Sequence, residues 1–271
     1  MTTHEPRWLR CLPIWLGLWM GWCSLAQADT RQDVIDVPTR PGVTVRLLVL
    51  TPEAPKLTVL LLPGGHGGLQ MGRSGSVAWG AGNFLVRTRQ TWAEQGAVVA
   101  VMDAPSDRQS PPFLAGWRQT PEHVADVRAT LAWLRRQTAL PVWLVGTSRG
   151  TQSAAFVATE LDGPDAPDGL VLTATILTDP KGRAVPAMPL DRVKVPVLVV
   201  HHAQDGCSHC PPSLAPTLLD QFTQAPRKQF LVFSGGDSVG DPCEAMSHHG
   251  FRGIEGTVVG QAMAWMRSAG N

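Results

Sequence analysis

The pentapeptide Gly146-Thr147-Ser148-Arg149-Gly150 sets one serine between two glycines. A serine hydroxyl is a weak nucleophile at neutral pH. To attack a carbonyl it needs a base to take its proton and donors to hold the negative oxygen that forms. The pentapeptide alone occurs often by chance, and its surroundings give it meaning. It follows an apolar run at residues 141–145 and precedes the small residues Ser153-Ala154-Ala155. Strand, sharp turn and helix in that order lift the Ser148 hydroxyl above a sheet edge and set it at a helix N-terminus, where negative charge is stabilised. The glycines suit such a turn, because side chains there would collide with neighbouring backbone. The bland alternative is a glycine-rich turn between a strand and a helix.

The elements that would position this serine follow from apolar runs. Residues 43–50, 57–62, 97–102, 141–145, 170–177, 195–200 and 230–233 read as strands. Most are short runs without alternation, which suits a parallel sheet covered on both faces. Helices are expected over 83–95, from Thr120 onward, and over 153–161, 217–222 and 258–266. Thr120-Pro121-Glu122 is a helix start, with a capping hydroxyl, a proline at the first helical position and an acid in the first turn. Alternating strands and helices predict a three-layer α/β/α sandwich around a mostly parallel, doubly wound sheet. No linker or internal repeat interrupts residues 29–271, which read as one domain. Only residues 178–194 separate two of the strands, too few for a large helical lid.

In these motifs the chain resembles the α/β-hydrolase superfamily, in particular its dienelactone-hydrolase-like and prolyl-oligopeptidase-like branches. That resemblance implies a serine, an acid and a histidine in chain order. Asp205 lies just past the apolar run that ends in Val199-Val200-His201-His202. His249 lies in Ser247-His248-His249-Gly250-Phe251, before the last expected helix. The implied triad is Ser148, Asp205 and His249. His249 would act as base, and Asp205 would hold its tautomer and stabilise the imidazolium. The oxyanion hole would use the backbone N–H of Arg149 and one from Pro63-Gly64-Gly65-His66-Gly67-Gly68, at Gly65 or the adjacent His66. The superfamily often has His-Gly where this chain has Pro63-Gly64. Asp179 competes for the role of acid and His248 for the role of base. His201 and His202 read as structural. Arg149 would pair with a nearby carboxylate or, less simply, meet an anionic substrate group.

The amino-terminal segment carries a different message. Arg7 and Arg10 precede an uncharged, largely apolar stretch, residues 11–28, that ends in Ala26-Gln27-Ala28. This is the pattern of a signal peptide, residues 1–28, cleaved before Asp29. An uncleaved anchor is the rival reading, opposed by Pro13 and the cleavage site. Export places the chain in a periplasmic or secreted, oxidising setting where disulfides persist. Past residue 28 three cysteines remain: Cys207, Cys210 and Cys243. A Cys207–Cys243 bridge would tie the acid loop to the histidine loop, as in some secreted polyester hydrolases, with Cys210 able to take the place of Cys207. The cluster His201, His202, Cys207, His209 and Cys210 fits no dependable zinc spacing, so no metal and no cofactor are expected.

Composition bounds the rest. A 44% hydrophobic, 17% charged chain with a formal net charge of +1 is neither disordered nor a polyelectrolyte for nucleic acid or anionic membranes. No tyrosine is present, which excludes a tyrosine nucleophile or acid. The expectation is an exported esterase acting on a small-molecule ester through an acyl-enzyme, not membrane-bound once the signal is removed. A peptidase, a polymer esterase, an acyltransferase and an inactive hydrolase-like binding module are the alternatives.

Overall fold

The computed structural model describes residues 1–3 and 30–268. The expected signal peptide and its cleavage site lie outside the described residues, apart from the first three positions. No helix among the described residues is long and apolar enough to cross a membrane.

Eight strands form one sheet: β1 (Arg31–Arg40), β2 (Val43–Thr51), β3 (Leu57–Leu62), β4 (Ala97–Pro105), β5 (Val142–Thr147), β6 (Gly169–Thr173), β7 (Val197–His202) and β8 (Lys228–Phe233). Their spatial order is β1-β2-β4-β3-β5-β6-β7-β8. The pairs β1–β2 and β2–β4 are antiparallel, and the remaining neighbours are parallel. Among the described residues the α-helices are α1 (Phe84–Arg87), α2 (Arg89–Glu94), α3 (Pro121–Thr138), α4 (Arg149–Glu160), α5 (Ala215–Gln221) and α6 (Glu255–Ser268).

The unbroken apolar strands are buried on both faces, and the period of two decides which residue faces which layer. In β3, Leu60 and Leu62 join the core beneath α3, α4 and α5, with Leu131, Ala154 and Leu218. Leu57, Val59 and Leu61 join the opposite core beneath α1, α2 and α6, with Phe84, Trp92 and Met263. Two separate cores on one sheet make the three expected layers.

Three elements differ from expectation. The strand β1 was not expected, because Arg31–Arg40 mixes polar and apolar residues and contains Pro38. Antiparallel pairing at the sheet edge tolerates both. The run 170–177 leaves the sheet at Thr173, because Ala174 takes a left-handed φ of 45°. The helix expected over 83–95 is two short helices, α1 and α2. Asn83 caps α1 through its side chain, and the Thr88 hydroxyl bonds back to Phe84 O at 2.6 Å where the two meet.

The site is placed by topology. Strand β3 lies between β4 and β5, so the chain departs from it on one side and returns on the other. Ligands of open α/β sheets bind outside the carboxyl ends of the strands at such a switch point. The parallel register sets Leu62 opposite Gly146. The residues that follow β3 and β5 therefore leave the sheet side by side. Residues 178–194 form only the short 3-10 turns Val185–Ala187 and Leu190–Arg192, which leaves the carboxyl end of the sheet uncapped by a large lid.

Candidate active site

Ser148 is the single residue between β5 and α4, and its backbone sits at φ 50°, ψ −127°. That region is sparsely populated for a side-chain-bearing residue and costs on the order of 1–3 kcal/mol. The surrounding structure holds it there. Ser148 N–H donates to Thr173 O at 3.0 Å, and Ser148 O accepts from the Thr151 amide at 2.8 Å. The flanking glycines are required sterically. A Cβ at Gly146 would lie 2.5 Å from Gly150 O, and one at Gly150 would run into Leu62 O. Both contacts are with backbone, which cannot swing aside.

Asp205 follows β7 by three residues and His249 lies in the turn His248–Gly250 before α6. The two meet across 44 residues of chain: His249 Nδ1 and Asp205 Oδ2 are 2.9 Å apart. Both are buried. A carboxylate accepts, so Nδ1 carries the proton and Nε2 keeps its lone pair. Nε2 is buried without a hydrogen-bond partner among the described residues. Asp205 Oδ1 accepts from the Cys207 amide at 2.9 Å. Ser247 Oγ accepts from His249 N–H at 3.2 Å and donates to Pro242 O and Glu244 O, both at 2.8 Å. Ser148 and His249 line one open cleft of about 620 Å³, together with Gly65, Arg149, Trp79 and Met246.

The competing residues are engaged elsewhere. Asp179 Oδ2 accepts from Arg149 at 2.9 Å and from Gln152 at 2.9 Å, and its Oδ1 accepts from the Lys181 amide. Burial raises the Asp179 pKa, but these hydrogen bonds outweigh it and hold the carboxyl below its usual range. Arg149 thus has a carboxylate partner within the fold. His248 stacks face to face on His202, with centroids 4.4 Å apart. His202 is itself fixed, Nε2 donating to Gly235 O at 2.8 Å and Nδ1 accepting from the Gln204 amide. His201 Nε2 accepts from the Thr175 amide at 2.9 Å.

The loop after β3 passes directly over the serine. A Cβ at Gly64 would lie 2.9 Å from Ser148 Cβ, and one at Gly65, where φ is +57°, would enter the Trp79 ring. Neither the Gly65 nor the Arg149 amide donates to another group among the described residues. The His66 ring lies between Trp79, 3.7 Å away, and Phe113, 4.3 Å away. Its Nδ1 accepts from the Gly68 amide. Burial, then the nearby Arg118 charge, lowers its pKa, so this imidazole is a neutral part of the loop.

A disulfide joins Cys207 to Cys243, and Cys210 is free and buried. Cys207, Cys210 and His249 bring ligand-type atoms within 4.8 Å of one another. The Cys207 sulfur is already bonded, His249 Nδ1 faces Asp205, and burial holds the Cys210 thiol protonated well above its usual range. These three residues do not make a free donor set. Two residues in contact with the loop over Ser148 lie outside the sequence expectations: Trp79, which covers Gly65, and Arg118, whose guanidinium donates to Pro63 O and Gly65 O. Neither sits in a pattern that spacing could reveal.

The chain has the α/β-hydrolase fold. A dienelactone hydrolase from Anabaena variabilis superposes over 89% of this chain and 98% of its own, with a TM-score of 0.62 at 15% identity. A Pyrococcus furiosus esterase matches over 89% and 93%, with a TM-score of 0.61 at 11% identity. A thermostable carboxylesterase cloned from a metagenomic library matches over 90% of each chain, with a TM-score of 0.58 at 17% identity. No family model matches the sequence, and no curated protein matches it either.

Proposed function

We propose that the chain is an exported serine hydrolase that cleaves carboxylic esters through an acyl-enzyme. The observation that carries this reading is the 2.9 Å Asp205–His249 hydrogen bond, which leaves Nε2 uncommitted in the cleft that also holds the elbow serine. In this reading Ser148 Oγ attacks the ester carbonyl as His249 Nε2 takes its proton. The carbonyl oxygen becomes an oxyanion facing the amides of Gly65 and Arg149. The intermediate collapses, the C–O bond to the alcohol breaks, and the imidazolium returns the proton to the leaving alkoxide. Water, deprotonated by the same nitrogen, then attacks the acyl-enzyme and releases the acid and Ser148. Asp205 keeps the proton on Nδ1 and stabilises the imidazolium.

The dienelactone hydrolase and esterase neighbours support hydrolysis of a small ester. The signal pattern at residues 1–28 and the Cys207–Cys243 disulfide support export to an oxidising compartment. The test uses residues 29–271 with a panel of esters of graded chain length and a fluorophosphonate probe. The wild type is expected to turn over esters and to be labelled at Ser148. Ser148→Ala is expected to lose labelling and about 10⁴ to 10⁶ in rate with its fold intact. A Ser148→Ala protein that hydrolyses esters as fast as wild type overturns the assignment.

A further inference from the structure

Arg118 is buried, only 6% exposed, in the turn-rich stretch before α3. No carboxylate pairs with it among the described residues. Its Nη1 donates to Ser153 Oγ on α4 at 2.9 Å. Its Nη2 meets three successive carbonyls of the loop over Ser148: Pro63 O at 3.1 Å, Gly64 O at 3.4 Å and Gly65 O at 3.1 Å. The loop makes room for this contact at Gly67, where a Cβ would lie 2.6 Å from the guanidinium.

Two physical consequences follow. In a trans peptide the C=O and the next N–H point in opposite directions. Carbonyls of Gly64 and Gly65 drawn onto Arg118 therefore turn the amides of Gly65 and His66 away from it, and Gly65 lies on the cleft that holds Ser148. A buried cation without a counterion is also costly. Burial and the neighbouring Arg149 push its pKa down to about 9, so it keeps its charge at neutral pH. Negative charge arising near this loop offsets that cost, and a tetrahedral oxyanion is such a charge.

We infer that Arg118 is a positioning residue for ester hydrolysis: its guanidinium orients the Gly65 amide toward the oxyanion, and its unpaired charge favours that oxyanion over the neutral ester. The inference rests on the serine-hydrolase reading above and assigns Arg118 no contact with substrate.

The test compares wild type with Arg118→Met, which removes the charge, and Arg118→Lys, which keeps charge but not the fork. Three quantities are read on protein shown to be folded: kcat and KM for one ester, and Ki for a trifluoromethyl ketone that forms an oxyanion adduct with a serine. Arg118→Met is expected to lower kcat about 100-fold, comparable to loss of one oxyanion donor. KM should stay within about threefold, and Ki should rise in parallel with the loss in kcat/KM. Arg118→Lys should recover part of both. A merely structural role would lower the melting temperature without coupling kcat to Ki. Folded Arg118→Met with kcat/KM within about threefold of wild type overturns the inference, as does a fall in kcat with Ki unchanged. If Arg118→Met does not fold, Ser153→Ala decides. It frees Nη1 and should shift kcat and Ki together by about threefold or more, and no shift in either overturns the inference. Inhibition of wild type by the ketone, absent in Ser148→Ala, tests the serine-hydrolase reading separately.

Discussion

Cys207 holds Asp205 twice over. Its amide donates to Asp205 Oδ1 at 2.9 Å, and its sulfur is bonded to Cys243 on the loop that carries His249. The other carboxylate oxygen meets His249 Nδ1 at the same distance. One covalent link and two hydrogen bonds thus set the acid and the histidine against each other, although the residues come from separate loops at the carboxyl end of the sheet.

Breaking that link should cost both stability and rate. The bridge closes a separation of 36 residues, for which chain entropy gives about 4 kcal/mol. Cys207→Ser together with Cys243→Ser is expected to lower the melting temperature. It should also lower kcat, since a shift of about 1 Å at a catalytic group can cost on the order of 100-fold. Cys210→Ala should do far less to kcat. Peptide mapping under non-reducing conditions checks the pairing, and a Cys207–Cys210 peptide would contradict it.

The two adjacent histidines should behave differently. Asp205→Asn presents the wrong tautomer to His249 and is expected to lower kcat about 10⁴-fold, with His249→Ala falling at least as far. His248 stacks on His202 and meets no carboxylate among the described residues, so His248→Ala should retain most activity. Steady-state kinetics of the three variants rank them, and a severe loss confined to His248→Ala would move the base.

Acid should destabilise the fold before the carboxylates titrate. Burial, and then the charges of Arg118 and Arg40, push the pKa of His123 down to about 3. Burial, with a smaller contribution from His249 against the opposing Asp205, pushes His201 down to about 4. Unfolded, each titrates near 6.5. The unfolded chain therefore binds more protons below pH 6.5. The stability is complete above that pH and is lost progressively as the pH falls, toward about 4 for His201 and about 3 for His123. Near pH 5 each of the two histidines contributes a slope of roughly 1 kcal/mol per pH unit. Urea unfolding followed by tryptophan fluorescence should show it, and His123→Leu should remove about half. A wild type equally stable at pH 6.5 and pH 4.5 would contradict this account.

Processing at the amino terminus is checked by sequencing exported protein. The chain is expected to begin at Asp29, after Ala26-Gln27-Ala28. Membrane-bound material that begins at Met1 or Thr2 would favour the anchor instead.

The chemistry-bearing turn and the order of layers were legible in the residues themselves. Unbroken apolar runs can be satisfied only between two covering layers. The spacing of Gly146, Ser148 and Gly150 matters because the collisions that demand glycine are made with backbone close by. Such signals are local, and local sequence carries them. Which histidine faces Asp205 was not local. His248 and His249 are neighbours in sequence, and the turn His248–Gly250 sends one ring onto Asp205 and the other onto His202. The strand β1 was hidden because an edge strand needs neither apolar continuity nor the absence of proline. Arg118 was hidden for the deepest reason. An arginine in a turn-rich stretch reads as a solvated side chain. Only the packing of α4 against the loop after β3, more than fifty residues upstream, takes its charge out of water and aims it at three carbonyls over the serine.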